Sequence, residues 1–335
     1  MNILKKIGLS ALAGSLAATS AFAGELTVTG TANLTYTSTD NQSTNNDGNR
    51  IGSETEMSFT GSGDVNGMTV SYFTTLNNTG SGIVSHNIGI DMGDLGKIEF
   101  DQGVGGNGLT AIDDKTPTAN EEAWDGFADG ITGIAGTGST NVLQYTNTVA
   151  GFGINFALDK EIDDADTTEG ATSRGTTALA GSNYSFALTN ATLVDGLDFG
   201  VGYSETDIKD GTTTSNDGES WAAYANYSVG PVTVGYTRGE TSGVDSVAGA
   251  DMHLMEAYGI AFAVNENLSV SYGAHDVEVD LAAGDSTTQE ATSVALAYTM
   301  GGASVTVQNS SMDNPGGSTS AQDEERTEIS LKLAF

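Results

Sequence analysis

Apolar and polar residues alternate along this chain with a period of two. In ELTVTGTANLTYTST (25–39), Leu26, Val28, Leu34 and Tyr36 fall on one face, and Thr27, Thr29, Thr31, Asn33 and Thr35 on the other. The same alternation runs through GFGINFALD (151–159), LDFGVGYS (197–204), LSVSYGA (268–274) and TEISLKLAF (327–335). Alternation of this kind, enriched in β-branched and aromatic residues, predicts strands with one apolar and one polar face. Short turns are predicted near 64–67, 93–96, 149–152, 194–197, 229–232, 264–267 and 300–303. Long polar loops are predicted near 40–49, 78–82, 104–139, 160–175, 206–219, 240–251, 278–288 and 312–325. Seven turns alternating with eight loops imply sixteen strands.

An even number of antiparallel strands, with short turns at one rim and long loops at the other, is the layout of a bacterial outer-membrane barrel. The predicted fold class is therefore all-β: a transmembrane antiparallel β-barrel of sixteen strands. In hydrocarbon every backbone N–H and C=O must find a partner within the protein, and a closed sheet achieves this with no edge left over. Phe152, Phe199, Tyr227, Phe262, Tyr298 and Phe335 lie near the short turns with outward parity. They are expected to form an aromatic girdle at one membrane interface. Two places break the alternation. Glu256 falls among the outward residues Leu254, Tyr258, Ile260 and Phe262, so the expectation is a register bulge or a face covered by another subunit. After Ala274 the apolar positions shift to Val277 and Val279, which suggests that the strand ends there.

Composition sharpens this picture. Residues 1–23 combine Lys5 and Lys6 with an apolar small-residue run and Ala21-Phe22-Ala23, the pattern of a cleaved export signal. The expected domain organisation is a signal peptide over 1–23 and one barrel domain over 24–335. Acids outnumber bases 44 to 11, for a formal net charge of −33. That balance argues against nucleic-acid binding, which needs basic surface. There are no cysteines, so no disulfide stabilises the exported chain. A hydrophobic fraction of 38% suits a barrel that is apolar outside and wet inside better than it suits one dry core.

Three segments resemble the Gram-negative general porins. HNIGIDMGDLGKIEF (86–100) is similar to that family's strand–turn–strand signature, RIGSETEMSFTG (50–61) with Asp64–Met68 to its second strand and first turn, and the alternation Ile329, Leu331, Leu333, Phe335 to its terminal strand. The resemblance implies a sixteen-stranded homotrimer in the outer membrane, in contact with lipid and lipopolysaccharide. It also implies a third long loop folded into the pore as a constriction, and recognition of the terminal strand by the barrel-assembly machinery. The sequence departs from the family at Phe100-Asp101-Gln102, where a basic residue is common.

The third loop carries Asp113, Asp114, Glu121, Glu122, Asp125 and Asp129, the expected acidic side of a constriction. Inward-parity bases on the strands are few: Arg50, Lys97, Arg326 and Lys332. Opposed charges across a narrow low-dielectric gap order water and favour polar solutes, and the excess of acids predicts cation preference. Phe73 and Tyr224 are the inward aromatics that could stack against sugars. Asp163, Asp164, Asp166 and Glu169 could hold Ca²⁺ or Mg²⁺ through oxygen ligands, although they lack calcium-loop spacing. Gly103-Val-Gly105-Gly106-Asn-Gly108 matches a dinucleotide fingerprint by letter, but no helical pattern follows it. His86, His253 and His275 are dispersed, and no nucleophile–base pair is visible, so no cofactor and no enzyme are expected. The expected function is passive diffusion of small hydrophilic solutes and ions. A sugar- or cation-preferring channel, or a non-conducting adhesin or structural barrel, remains open.

Overall fold

The computed structural model describes residues 24–40, 48–78, 83–127, 130–137, 141–160, 182–207, 218–243, 250–281 and 286–335. Sixteen antiparallel strands follow one another around a closed barrel. The first eight are β1 (Glu25–Asp40), β2 (Gly48–Val65), β3 (Met68–Asn77), β4 (Ile83–Asp91), β5 (Lys97–Gln102), β6 (Val142–Val149), β7 (Phe152–Lys160) and β8 (Ser182–Asn190). The second eight are β9 (Leu197–Asp207), β10 (Gly218–Val229), β11 (Val232–Ser242), β12 (Ala250–Ala263), β13 (Leu268–Leu281), β14 (Thr287–Met300), β15 (Ala303–Asp313) and β16 (Glu324–Ala334). β16 closes onto β1 from Thr31↔Ala334 to Asp40↔Glu325. Beyond that register Gly30 and Phe335 exchange N–H···O bonds of 2.7 and 3.0 Å, so the seam is paired to the last residue.

The seven short connections fall where the turn signals place them. The first is a two-residue turn made by Asn66 and Gly67, both left-handed (φ 56° and 81°). Two such residues match the right-handed twist of the flanking strands. The Asp64 carboxylate fixes the turn by accepting the Gly67 N–H at 3.2 Å.

Strand parity separates two surfaces. Leu26, Val28, Leu34, Ile88, Phe186, Val201, Val234, Ile260, Tyr272 and Leu333 are exposed on the outside, as a lipid-facing wall requires. The inward residues of β1 are Thr27, Thr29, Thr31, Asn33, Thr35 and Thr37, which hydrogen-bond readily to water. Among the described residues no helix is long and apolar enough to cross a membrane.

Two expectations are corrected. No bulge accompanies Glu256, because the β11–β12 register runs unbroken from Val232↔Phe262 to Ser242↔Met252. Glu256 does face outward, and its own barrel supplies its partners. Oε1 accepts from Tyr236 Oη at 2.8 Å and Arg238 Nη1 at 2.9 Å, and Oε2 accepts from Tyr258 Oη at 3.4 Å. Nor does β13 stop at Ala274; it continues to Leu281. Val277 and Val279 are buried on the inner face, while Asp276 and Glu278 lie on the outer one. The apolar face inverts because loop segments fill the lumen on this side.

Candidate pore constriction

The third loop, 103–141, leaves β5 through a sharp bend. Gly103, Gly105, Gly106 and Gly108 all have positive φ, from 57° to 85°, where a Cβ would be strained. Asp101 organises the bend: its carboxylate accepts the N–H groups of Val104 and Gly105 at 2.9 Å and the Asn107 amide at 2.6 Å. The glycine run that imitates a dinucleotide fingerprint is thus a hinge into the barrel. The residue standing where the family often has a base is its anchor.

From there the loop crosses the inner wall of β7 to β15. Gly108 N–H bonds to Asn155 on β7 at 2.9 Å, and Ala119 N–H to Ser271 on β13 at 2.8 Å. Asn120 Nδ2 and Glu121 N–H both bond to Gln308 Oε1 on β15, at 2.9 and 3.0 Å. The return limb is held by Gln289 on β14, which accepts the Ile131 N–H at 3.0 Å and donates to its carbonyl at 2.9 Å. Thr241 on β11 donates to the Gly133 carbonyl at 3.0 Å, and Ser220 on β10 accepts the Ala135 N–H at 3.1 Å.

Apolar packing reinforces these bonds. Leu109 and Ile112, both fully buried, sit against Ala187, Ala222 and Tyr224. Phe127 and Ala123 pack on Ala291 and Met312, and Ile131 and Ile134 on Met255, Ala257 and Val277. The wall is cut for this. A Cβ at Gly235 would stand 2.2 Å from Pro117 Cδ, and one at Gly259 would stand 2.6 Å from the Pro117 carbonyl oxygen. Each fully buried Leu or Ile contributes roughly 1.5–3 kcal/mol to holding the loop on the wall.

The predicted loop acids separate by environment. Asp114 is exposed, while Asp113, Glu121, Glu122 and Asp125 are half-buried. Burial, aided by the charge of Asp114, pushes the Asp113 carboxyl up to about 7 and the Glu122 carboxyl up to about 8. Burial also raises Glu121 and Asp125, with the neighbouring Arg326 opposing it in both. Asp129 lies outside the described residues, as do Asp163, Asp164, Asp166, Glu169 and residues 1–23.

All four predicted bases have inward parity, but they do different things. Arg326, only 11% exposed, is sunk against the loop. It pairs with Glu328, reaches Glu121 at 3.7 Å and donates to the Asp125 carbonyl at 3.4 Å. Its guanidinium occupies the space a Cβ at Gly126 would need, so it is a peg for the loop tip. Lys97 pairs with Glu99 at 2.6 Å. Arg50 and Lys332 are exposed on β2 and β16. Tyr224 faces inward but is buried behind the loop with its hydroxyl on Asp198 at 2.9 Å, so it offers no stacking face; Phe73 is half-buried on β3. The six girdle aromatics stand on the outer face beside the short turns, Tyr227, Phe262, Tyr298 and Phe335 well exposed. Among the described residues no group of three His, Asp or Glu side chains could hold a metal ion.

The sequence reading missed further inward acids: Glu54 and Glu56 on β2, Glu99 on β5 and Glu328 on β16. The signal was present. Glu54 and Glu56 share the parity of Arg50, Glu99 that of Lys97, and Glu328 that of Arg326, and a period of two puts each set on one face.

A polar-walled barrel with an interior loop bearing titratable acids is a channel architecture, and a family match agrees with it. The family model described as Gram-negative porin matches residues 8–335. The chain belongs to the Gram-negative porin family. A porin structure refined at 1.8 Å matches with a TM-score of 0.66 and 17% identity, covering 93% of this chain and 100% of its own. OmpF from Salmonella typhi, in complex with daunomycin, gives 0.68 and 13%, over 93% and 98%. An anion-selective porin from Comamonas acidovorans gives 0.63 and 12%, over 93% and 100%. At these identities the likeness shows the fold alone. No curated protein matches the sequence. Family and fold together indicate an outer-membrane diffusion channel and not an enzyme.

Proposed function

We propose that this porin passes small hydrophilic solutes and ions by passive diffusion and prefers cations. One observation carries the preference: acids stand on both sides of the lumen, and two of the four wall bases are matched by carboxylates beside them. Asp114 and Glu121 come from the loop, Glu54, Glu56 and Glu99 from the wall, and Lys97 and Arg326 are paired with Glu99 and Glu328. In a narrow low-dielectric passage the remaining negative charge raises the local cation concentration. The anion-selective neighbour shares the fold, so selectivity has to reside in side chains. The test is the zero-current potential across a bilayer separating unequal KCl concentrations. A potential of the sign set by K⁺ supports the reading, and one set by Cl⁻ refutes it.

The same reading includes a homotrimer, the form in which one structural neighbour, OmpT of Vibrio cholerae, is described. Outward tyrosines are densest on β10–β14, at Tyr227, Tyr236, Tyr258, Tyr272 and Tyr298. The outer face of β15, β16 and β1 is mostly aliphatic, with Val305, Val307, Ile329, Leu333 and Leu34. Aromatics favour the lipid interface, so the aliphatic side suits contact between subunits. Export through residues 1–23, assembly through the terminal strand ending in Phe335, and contact of the outer rim with lipopolysaccharide complete the proposal.

A further inference from the structure

Between the third loop and the wall lies a small cavity, lined by loop residues 116–118, 122 and 123 and by Ala257, Gly273, His275 and Ser293, with room for about one water molecule. Two buried atoms without a hydrogen-bond partner in the protein belong to residues lining it: Glu122 Oε1 and His275 Nδ1. Their chemistry is complementary. His275 Nε2 lies 3.2 Å from the Thr132 carbonyl, which can only accept, so Nε2 carries the hydrogen and Nδ1 is a bare acceptor. Glu122 Oε2 accepts the Trp124 indole N–H at 2.9 Å, which leaves Oε1 to bear the proton of a neutral carboxyl. The Trp124 ring packs beside the imidazole, its centre 5.9 Å away.

We propose that Glu122 and His275 are positioning residues: bridged by one water, they latch the constriction loop to β13, and the latch opens when Glu122 loses its proton. This rests on the channel reading above. A water can bridge either protonation state, so charge opens the latch. The groups facing Glu122 are Asp113 and Asp114 from its own loop and His275 from β13. Ala257 on β12, Ser293 on β14 and Gln308 on β15 contribute no charge. An ionised Glu122 is therefore a buried carboxylate beside two others, with only the neutral imidazole of His275 against it. The midpoint near 8 follows from that burial. The barrel wall is hydrogen-bonded on both sides of every strand, so the loop can leave it only by moving inward, which narrows the passage.

The experiment measures entry of a neutral monosaccharide into liposomes carrying the purified protein, from about pH 6 to about pH 9.5. A neutral solute does not respond to the pore's ionic selectivity. Entry by the unaltered protein is expected to fall through a midpoint near 8. Glu122→Gln, which keeps the shape and cannot ionise, should stay at the acid-side rate throughout. His275→Leu, which removes the acceptor, should be slow even at acid pH. Circular dichroism confirms that each variant is folded. A constant rate in the unaltered channel, or an alkaline fall surviving in Glu122→Gln, overturns the latch alone. A protein admitting no sugar at any pH overturns the channel reading beneath it.

Discussion

Replacing Gly259 by alanine puts one methyl group into the contact between wall and loop. The new Cβ would stand 2.5 Å from Thr116 Cγ2, 2.6 Å from the Pro117 carbonyl oxygen and 2.9 Å from its nitrogen. Two of these are backbone atoms that no rotamer change can clear. Ordinary contact begins near 3.4 Å, so the loop must retreat by about 0.8 Å at Pro117. Overpacking of this kind costs about 1–3 kcal/mol, comparable to what one buried Leu109 or Ile112 contributes to the seat. One alanine therefore shifts the loop locally without unseating it. Gly235→Ala strikes the same proline from the neighbouring strand, so the double variant should displace the segment outright. Because the wall cannot yield, displacement is inward, and single-channel conductance should fall in Gly259→Ala and fall further in Gly235→Ala/Gly259→Ala. Gly61→Ala is the control: it lies on the outer face of β2 opposite Leu26, its Cβ would meet nothing within 4 Å, and conductance should be unchanged. Equal conductance in Gly259→Ala and the unaltered protein, or an equal loss in the control, would refute the seating of the loop on this wall.

Other outcomes follow from the same geometry. Arg326→Gln removes the ion pairs to Glu328 and Glu121 and the bond to the Asp125 carbonyl; the loop tip should loosen by about 1.5–3 kcal/mol, seen as increased open-channel current noise. Neutralising Glu54, Glu56 and Glu99 together with Gln should shrink the zero-current potential toward zero while leaving entry of neutral sugars unchanged. Asp113 and Glu122, raised to about 7 and about 8, bind protons in the folded protein that they release when unfolded. Stability of the loop seat is therefore full in acid and declines as pH rises from about 4, where such carboxyls titrate when unfolded, through about 8. Over that interval cation preference should increase, as measured by zero-current potentials across the pH series. Deleting Phe335 breaks its two backbone bonds to Gly30, each worth about 1 kcal/mol, and should lower the unfolding midpoint in detergent.

The strand framework was legible because lipid on one side and water on the other impose a period of two, and because the turns carry chemistry of their own, as at Asn66-Gly67. Legibility failed where the environment changes along a single strand. Val277 and Val279 read as a strand end because an apolar inner face was not anticipated; they are buried there because Ile131 and Ile134 pack against Val277, and Gly317 lies close to Val279. Glu256 read as a fault because its partners, Tyr236 and Arg238, sit across a strand pair whose register the sequence does not announce. For the constriction, the loop and its acids were visible as composition. The wall glycines and alanines that receive the loop were visible as residues, yet their purpose emerges only when strands far apart in sequence become neighbours. Arg326 shows the limit most clearly. Its parity marks it as inward, but only the contact with Gly126 reveals a peg and not a pore charge.

The most direct test is single-channel recording of the purified full chain in a planar lipid bilayer, with Arg326→Gln and Gly259→Ala recorded beside it. Stable open steps in the unaltered protein, noisier in the first variant and smaller in the second, are the expected result. A bilayer left silent by folded protein, or three indistinguishable traces, would contradict a water-filled barrel whose aperture is set by the loop seated inside it.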